Sequence, residues 1–148
     1  SKIDFELEMM SHEQDSENML DVLVLTGNME DGMVLDSANE ERIYCPEYIK
    51  KYGERLHCGI RITSNHLNPV YVRNDILGIS KKPPRDGDTC ILIHKPTGRA
   101  FIRKIQEGNP CHLLPINGYG DIITVDTNDH TVMGQWLKFG VVIAVLRR

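Results

Sequence analysis

The chain has 148 residues, of which 41% are hydrophobic and 26% charged, and its formal net charge is −4. These values suit a single domain with one hydrophobic core. No apolar run reaches the roughly 18–20 residues that a membrane span needs. The N-terminus lacks the basic and apolar stretches of a secretory signal, and no Lys and Arg cluster suits a phosphate backbone. We therefore expect a cytoplasmic domain that by itself binds neither DNA nor a membrane.

The cysteine pattern argues against a metal or redox centre. The four cysteines, Cys45, Cys58, Cys90 and Cys111, include no CxxC pair, which disfavours a zinc ribbon or a thioredoxin-like motif. We expect reduced, partly buried thiols, although the sequence leaves disulfides open. Cys90 and His94 would share one face of a strand, where core or half-buried positions are the expected outcome. No metal and no cofactor is predicted.

The first part of the chain divides into an arm and the start of the domain. Residues 1–20 are acidic and weakly periodic, which predicts a linker or arm, or a frayed helix. The domain is predicted to cover 21–148, with a first strand at 22–25. Residues 28–41 lack periodicity, so a long loop or mobile hairpin is expected there. A short strand at 42–45 and a helical turn after Pro46 complete this part.

From residue 58 onward the pattern is that of β-structure. Short apolar runs are separated by turn residues, and Lys95-Pro96-Thr97-Gly98 is typical of a hairpin. Many short strands at regular spacing predict a mostly β protein, an antiparallel sandwich or barrel with short helical turns. The predicted strands are 58–63, 75–79, 89–94, 99–106, 111–114, 122–125 and 141–146.

One segment of the chain resembles a known active site. Residues 60–69 read Ile-Arg-Ile-Thr-Ser-Asn-His-Leu-Asn-Pro, and 72–77 read Val-Arg-Asn-Asp-Ile-Leu. The order resembles the active-site segment of the LexA, phage CI repressor and UmuD family of Ser-Lys autopeptidases. In this resemblance His66-Leu67 falls on the family's Ser-Met pair, and Asn74-Asp75 falls on its Gly-Asp pair.

The resemblance extends over roughly 22–146. Residues 99–105 resemble the strand that carries the family's lysine, and 111–117, Cys-His-Leu-Leu-Pro-Ile-Asn, resemble a Leu-Leu-Pro-x-Asn stretch. Residues 139–145 resemble the closing strand. Residues 25–32 resemble the cleavage region, with the cut bond at Asp31-Gly32. The resemblance implies the antiparallel β fold of LexA and signal peptidase.

The residues at the matching positions depart from the family's chemistry. That chemistry needs a serine nucleophile, a neutral lysine as base and a small residue before the glycine that is cut. Here His66 takes the place of the serine, Arg103 that of the lysine, and Asp31-Gly32 is the vestigial cleavage site. A guanidinium with a pKa above roughly 12 cannot act as the base. The resemblance therefore implies a pseudo-peptidase without catalytic residues.

One alternative base stays open. Lys104 follows Arg103, and a one-residue slip of the strand would exchange which side chain points inward. The candidate serines are displaced, however, because Ser64 lies two residues before the expected position and Ser80 lies after the next strand. An active self-cleaving peptidase with a displaced dyad is thus the third hypothesis.

The favoured hypothesis is a self-association domain of a phage-type or bacterial transcriptional repressor. The family's domain also pairs subunits, so a homodimer or higher homo-oligomer is expected, with the apolar strand 141–146 as a seam. DNA would be contacted only through an N-terminal domain, and induction would use another route such as an antirepressor protein. The second hypothesis is a UmuD-like interaction subunit without a DNA-binding domain.

Overall fold

The computed structural model describes residues 19–27, 32–45 and 55–147. Within them lie nine strands and one short helix. Their bounds are β1 (Met19–Gly27), β2 (Met33–Tyr44), β3 (Cys58–Ile62), β4 (Ile76–Ser80), β5 (Thr89–His94), β6 (Arg99–Gln106), β7 (Cys111–Pro115), β8 (Ile123–Val125), α1 (His130–Gly134) and β9 (Trp136–Leu146).

The strands form one sheet that closes on itself. Its order is β2-β1-β3-β4-β9-β5-β6-β7-β8, and a further pairing joins β2 to β6 through Met33 and Ala100. This pairing closes a ring from β2 to β6, from which β7 and β8 extend. β1 and β3 are parallel, whereas the other described pairings are antiparallel. The prediction of a mostly β, barrel-like fold is confirmed.

The main hydrophobic cluster lies inside the ring because alternate residues of each strand point inward. β3 contributes Cys58, Ile60 and Ile62, and β6 contributes Ala100 and Ile102. A second cluster surrounds Leu20, Ile43 and Leu146. A third covers the opposite face of β5, β6 and β7 and is formed by Cys90, Leu92, Ile105, Leu113, Val125 and Val141.

The closing strand lies in the interior of the strand order, between β4 and β5. β9 pairs with β4 along one edge and with β5 along the other. Gly140 permits this because a Cβ there would collide with Ile79 and lie 2.9 Å from the carbonyl oxygen of Ser80. β4 pairs with residues 141–146 of β9, and β5 pairs with residues 136–141. The seam expected at 141–146 stays a prediction.

Three local expectations have different outcomes. Of the two alternatives for 28–41, the long loop is wrong from Met33 onward, whereas the antiparallel pair of β1 and β2 agrees with a hairpin. The helix α1 was not predicted; Asp129 caps it by accepting hydrogen bonds from the backbone N–H groups of Thr131 and Val132. The predicted helical turn after Pro46 lies outside the described residues. Among the described helices, none has the length and apolar character to cross a bilayer.

Candidate functional site

The strand β6 places Phe101 and Arg103 on one face and Ile102 on the other. Ile102 packs inside the ring, so alternation directs Arg103 to the outer face. The Arg103 side chain is nevertheless buried, with 2% of its surface exposed. Its guanidinium carbon lies 5.4 Å from the centre of the Phe101 ring, and its Nη1 donates a hydrogen bond of 2.9 Å to the carbonyl oxygen of Ile102. The ring face and the carbonyl therefore stabilise a buried cation.

Burial and charge act on the Arg103 guanidinium in opposite directions. Burial lowers its pKa, and the negative charge of Asp121 raises it. An arginine remains protonated under either influence at neutral pH. Lys104 is exposed and pairs with Thr89 of β5, so it points to the face opposite that of Phe101. The basic side chain that is buried on the Phe101 face is thus that of Arg103, which is permanently charged.

Gly32 packs against the same phenyl ring. Its φ is +85°, and a Cβ at this position would lie 2.8 Å from Cζ of Phe101 and 2.8 Å from Cβ of Arg99. The next residue, Met33, pairs with Ala100 and fixes this approach. Gly32 and Arg103 therefore both lie against the Phe101 ring. Asp31 lies outside the described residues.

His66 lies in the turn between β3 and β4. Its side chain is exposed, whereas its neighbour Leu67 is fully buried in the main cluster. The amide nitrogen of Asn117 donates to the carbonyl oxygens of His66 and Asn68 at 2.9 and 3.0 Å. This amide fixes the turn through its backbone and leaves the His66 imidazole in solvent.

A buried carboxylate stabilises the far side of the same turn. Asp75 has 3% of its surface exposed, and its Oδ2 accepts a 2.9 Å hydrogen bond from the backbone N–H of Val72. The Nε of Arg147 lies 3.4 Å from the same oxygen. The two contacts compensate the charge of a carboxylate that lies out of water. They hold the turn in one conformation above β4.

The displaced serines lie at the end of β4 and in the β3–β4 turn. Ser80 is buried at the end of β4, and its hydroxyl accepts a hydrogen bond of 3.1 Å from the backbone N–H of Lys82. Ser64 is half-buried in the β3–β4 turn. Neither serine has a described contact with Lys104 or Gly32.

The site positions are joined through two connecting elements. Phe101 contacts both Gly32 and Arg103. The loop after β7 reaches the His66 turn through Asn117 and acts on Arg103 through the charge of Asp121. Gly32 and Arg103 are thus joined through Phe101, whereas His66 is connected to this group by its backbone and the loop after β7.

Two residues of this arrangement were not predicted as important. Phe101 has no sequence signal beyond its place in a strand, and its role depends on pairing between distant strands. Asn117 ends the Leu-Leu-Pro-x-Asn stretch, so the motif contained the signal without indicating its hydrogen bonds. Trp136 contacts the rings of His94 and Phe101 at centroid distances of 4.7 and 5.6 Å.

In the described part of the chain, no group of three His, Cys, Asp or Glu side chains could hold a metal ion. Comparison of the sequence with protein-family models and with curated proteins gives no match.

Proposed function

We propose that the chain is a non-catalytic self-association domain of a phage-type or bacterial repressor whose autocleavage machinery has been lost. The observation that carries the proposal is the buried Arg103 guanidinium beside Gly32 on the Phe101 ring. A Ser-Lys peptidase needs a neutral amine at this point to take the serine proton. A guanidinium stays charged and cannot accept a proton. The segment around Gly32 then packs against the sheet as a structural element.

Exposed apolar side chains supply a surface for a second copy. Val70 and Val72 lie in the β3–β4 turn, and Tyr119 and Ile122 lie in the loop after β7; between 36% and 73% of each is exposed. The hydrogen bonds of Asn117 hold the two segments side by side. We name these four residues the turn patch. Apolar side chains grouped in this way favour burial against another protein surface.

Self-association has a direct use in a repressor. Pairing two copies holds two DNA-reading domains at a fixed spacing, which raises affinity through effective concentration. DNA would be contacted only by a further domain on the N-terminal side. Without self-cleavage, release from DNA would require another protein, such as an antirepressor that competes for the turn patch.

Light scattering after size exclusion tests the association. We expect a dimer or larger species at tens of micromolar protein. The double variant Tyr119→Ser/Ile122→Ser should shift the distribution to monomer, because it removes two exposed apolar side chains from the turn patch. Tyr44→Ser is the matched control, because Tyr44 is also 57% exposed but lies at the end of β2. A strict monomer of the unaltered protein at high micromolar concentration contradicts the proposal.

Prolonged incubation at alkaline pH tests the loss of cleavage. We expect the chain to stay intact at about pH 9–10, where the neutral fraction of a lysine base would be larger than at pH 7. The double variant His66→Ser/Arg103→Lys restores the residue types of the dyad. Fragments of that variant that begin at Gly32 would support the assigned positions, whereas such fragments from the unaltered chain would contradict the proposal.

A further inference from the structure

A cavity of about 250 Å³ lies on the outer face of the sheet. It is lined by residues of the five strands from β5 to β9 and by a residue of α1. Its floor is the third hydrophobic cluster, represented by Leu92, Ile105, Leu113 and Val125. Trp136 forms one wall. The walls come from strands that are fixed by pairing, so the cavity is a built part of the fold.

The size and lining of the cavity suit a small ring. A dry apolar cavity of roughly 150 Å³ binds benzene, so about 250 Å³ accommodates an aromatic ring with a short chain. The half-buried Trp136 offers an aromatic face for such a ring. The Cys111 thiol lines the cavity and stays protonated at neutral pH, because burial raises its pKa. The interior is therefore apolar and uncharged.

The charged side chains that line the cavity determine whether an anionic or a cationic ligand is favoured. Lys138 lines the cavity and pairs in register with Leu92 of the floor, so its side chain rises on the same face. Glu107 also lines the cavity. Of the nearby charges, that of Lys138 has the largest effect on the Cys111 thiol, ahead of Glu107 and Asp86. The ammonium group thus acts more strongly on the inner wall than either carboxylate.

We propose that this cavity binds a small aromatic monoanion, with its ring between Trp136 and the apolar floor and its anionic group at Lys138. The proposal does not depend on self-association. It rests on the cavity and on the position of Lys138 at its mouth.

The test is a titration monitored by the indole N–H signal in ¹H–¹⁵N NMR spectra. Trp136 is the only tryptophan of the chain, so this signal reports from the cavity wall without ambiguity. The probes are 3-phenylpropionate, 3-phenylpropan-1-ol and 3-phenylpropylamine, which share a ring and chain but differ in charge. We expect saturable binding of the carboxylate with a dissociation constant on the order of 0.1–1 mM. The alcohol should bind about fivefold more weakly, and the amine more weakly still.

Four variants make the outcome decisive. Lys138→Met should reduce the affinity of the carboxylate to that of the alcohol and leave the alcohol unchanged. Lys95→Met, in the exposed β5–β6 turn, is the matched control and should change neither. Val125→Phe and Cys111→Phe fill the cavity from two different strands, and whichever variant keeps native-like spectra should lose all three probes.

Several results would overturn the proposal. One is the lack of a saturable Trp136 shift with every probe up to about 5 mM. Another is amine affinity equal to or above that of the carboxylate, and a third is a Lys138→Met variant that binds the carboxylate normally. Light scattering on the same samples separates this outcome from that of self-association, because the cavity and the turn patch share no residue.

Discussion

At the scale of single residues, Phe101 connects the features of the candidate site. Gly32 packs on the edge of its ring, the Arg103 guanidinium lies over its face, and Trp136 contacts it from β9. An aromatic ring can interact favourably with all three neighbours because its face is partly negative and its edge partly positive. The ring thus offsets part of the cost of burying the Arg103 charge.

We expect Gly32→Ala to lower the free energy of unfolding by about 3 kcal/mol, since the added methyl group meets Phe101 and the φ is positive. Gly98→Ala is the matched control. Gly98 also has a positive φ, +68°, but a Cβ there meets nothing within 4 Å. It should cost only about 1 kcal/mol for the backbone conformation. Urea unfolding measures both values, and equal losses would contradict the close packing on Phe101.

The sequence could assign residue types to the site but not the direction of their side chains. It left open whether Arg103 or Lys104 points inward, because a strand pattern is insensitive to a slip of one residue. In the structure Arg103 lies opposite Cys90 on the outer face, whereas Lys104 is on the side of Ile102 and is exposed. The register of β5 and β6 depends on the turn between them, and the local sequence specifies the conformation of this turn only approximately.

At the scale of secondary structure, strands that are set by local sequence were predicted more accurately than strands that depend on pairing with distant parts of the chain. The bounds of β5 and β6 were predicted to the residue, because a turn at 95–98 separates two strongly apolar runs. The strand predicted at 42–45 covers only the end of β2, because the sequence before it has no alternation and is stabilised by pairing with β1. The first half of β9 was missed because Lys138 and Gly140 interrupt its apolar pattern.

The central position of β9 leads to a prediction for Gly140. We expect Gly140→Ala to lower the free energy of unfolding by about 3 kcal/mol or more, because the methyl group would collide with Ile79 across the β4–β9 pair. Gly134→Ala is the control, since a Cβ at Gly134, in α1, meets nothing within 4 Å. It should be neutral or slightly stabilising. Thermal unfolding compares the two, and a harmless Gly140→Ala would contradict the close approach of β9 and β4.

At the scale of the whole molecule, the ring depends on contacts between distant parts of the chain. Met33 and Ala100 close it across 67 positions of sequence, and no local pattern indicates such a pairing. The cavity beside Trp136 has the same origin, because its walls come from several strands. A mostly β barrel could therefore be predicted from strand spacing, whereas its closure and its cavity could not.

Because of the buried thiols, the free energy of unfolding of the whole domain should change with pH in the alkaline range. Burial raises the pKa of Cys58 from 9.0 to about 11 and that of Cys90 from 9.0 to about 11. Their contribution to stability is complete below pH 9 and is lost as the pH rises towards 11, because the unfolded thiols ionise first. We expect unfolding free energy to fall in this window by up to about 1.4 kcal/mol per pH unit for each thiol.

The Cys58→Ala/Cys90→Ala variant should have a shallower slope between pH 9 and 11. Burial also raises the pKa of Tyr71, and its contribution of the same sign should persist in the variant. Urea denaturation at several pH values measures the slopes. Identical slopes for the two proteins would show that the thiols are accessible to ionisation in the folded state.

The position of β1 has a consequence for a severed chain. β1 precedes the Asp31-Gly32 bond, yet it is an interior strand that pairs with β2 and with β3. A protease nick just before Gly32 would leave two pieces joined by these backbone hydrogen bonds, as in a split protein reassembled from its fragments. Any partner tethered ahead of residue 19 would remain attached, so hydrolysis of that bond alone would not free it.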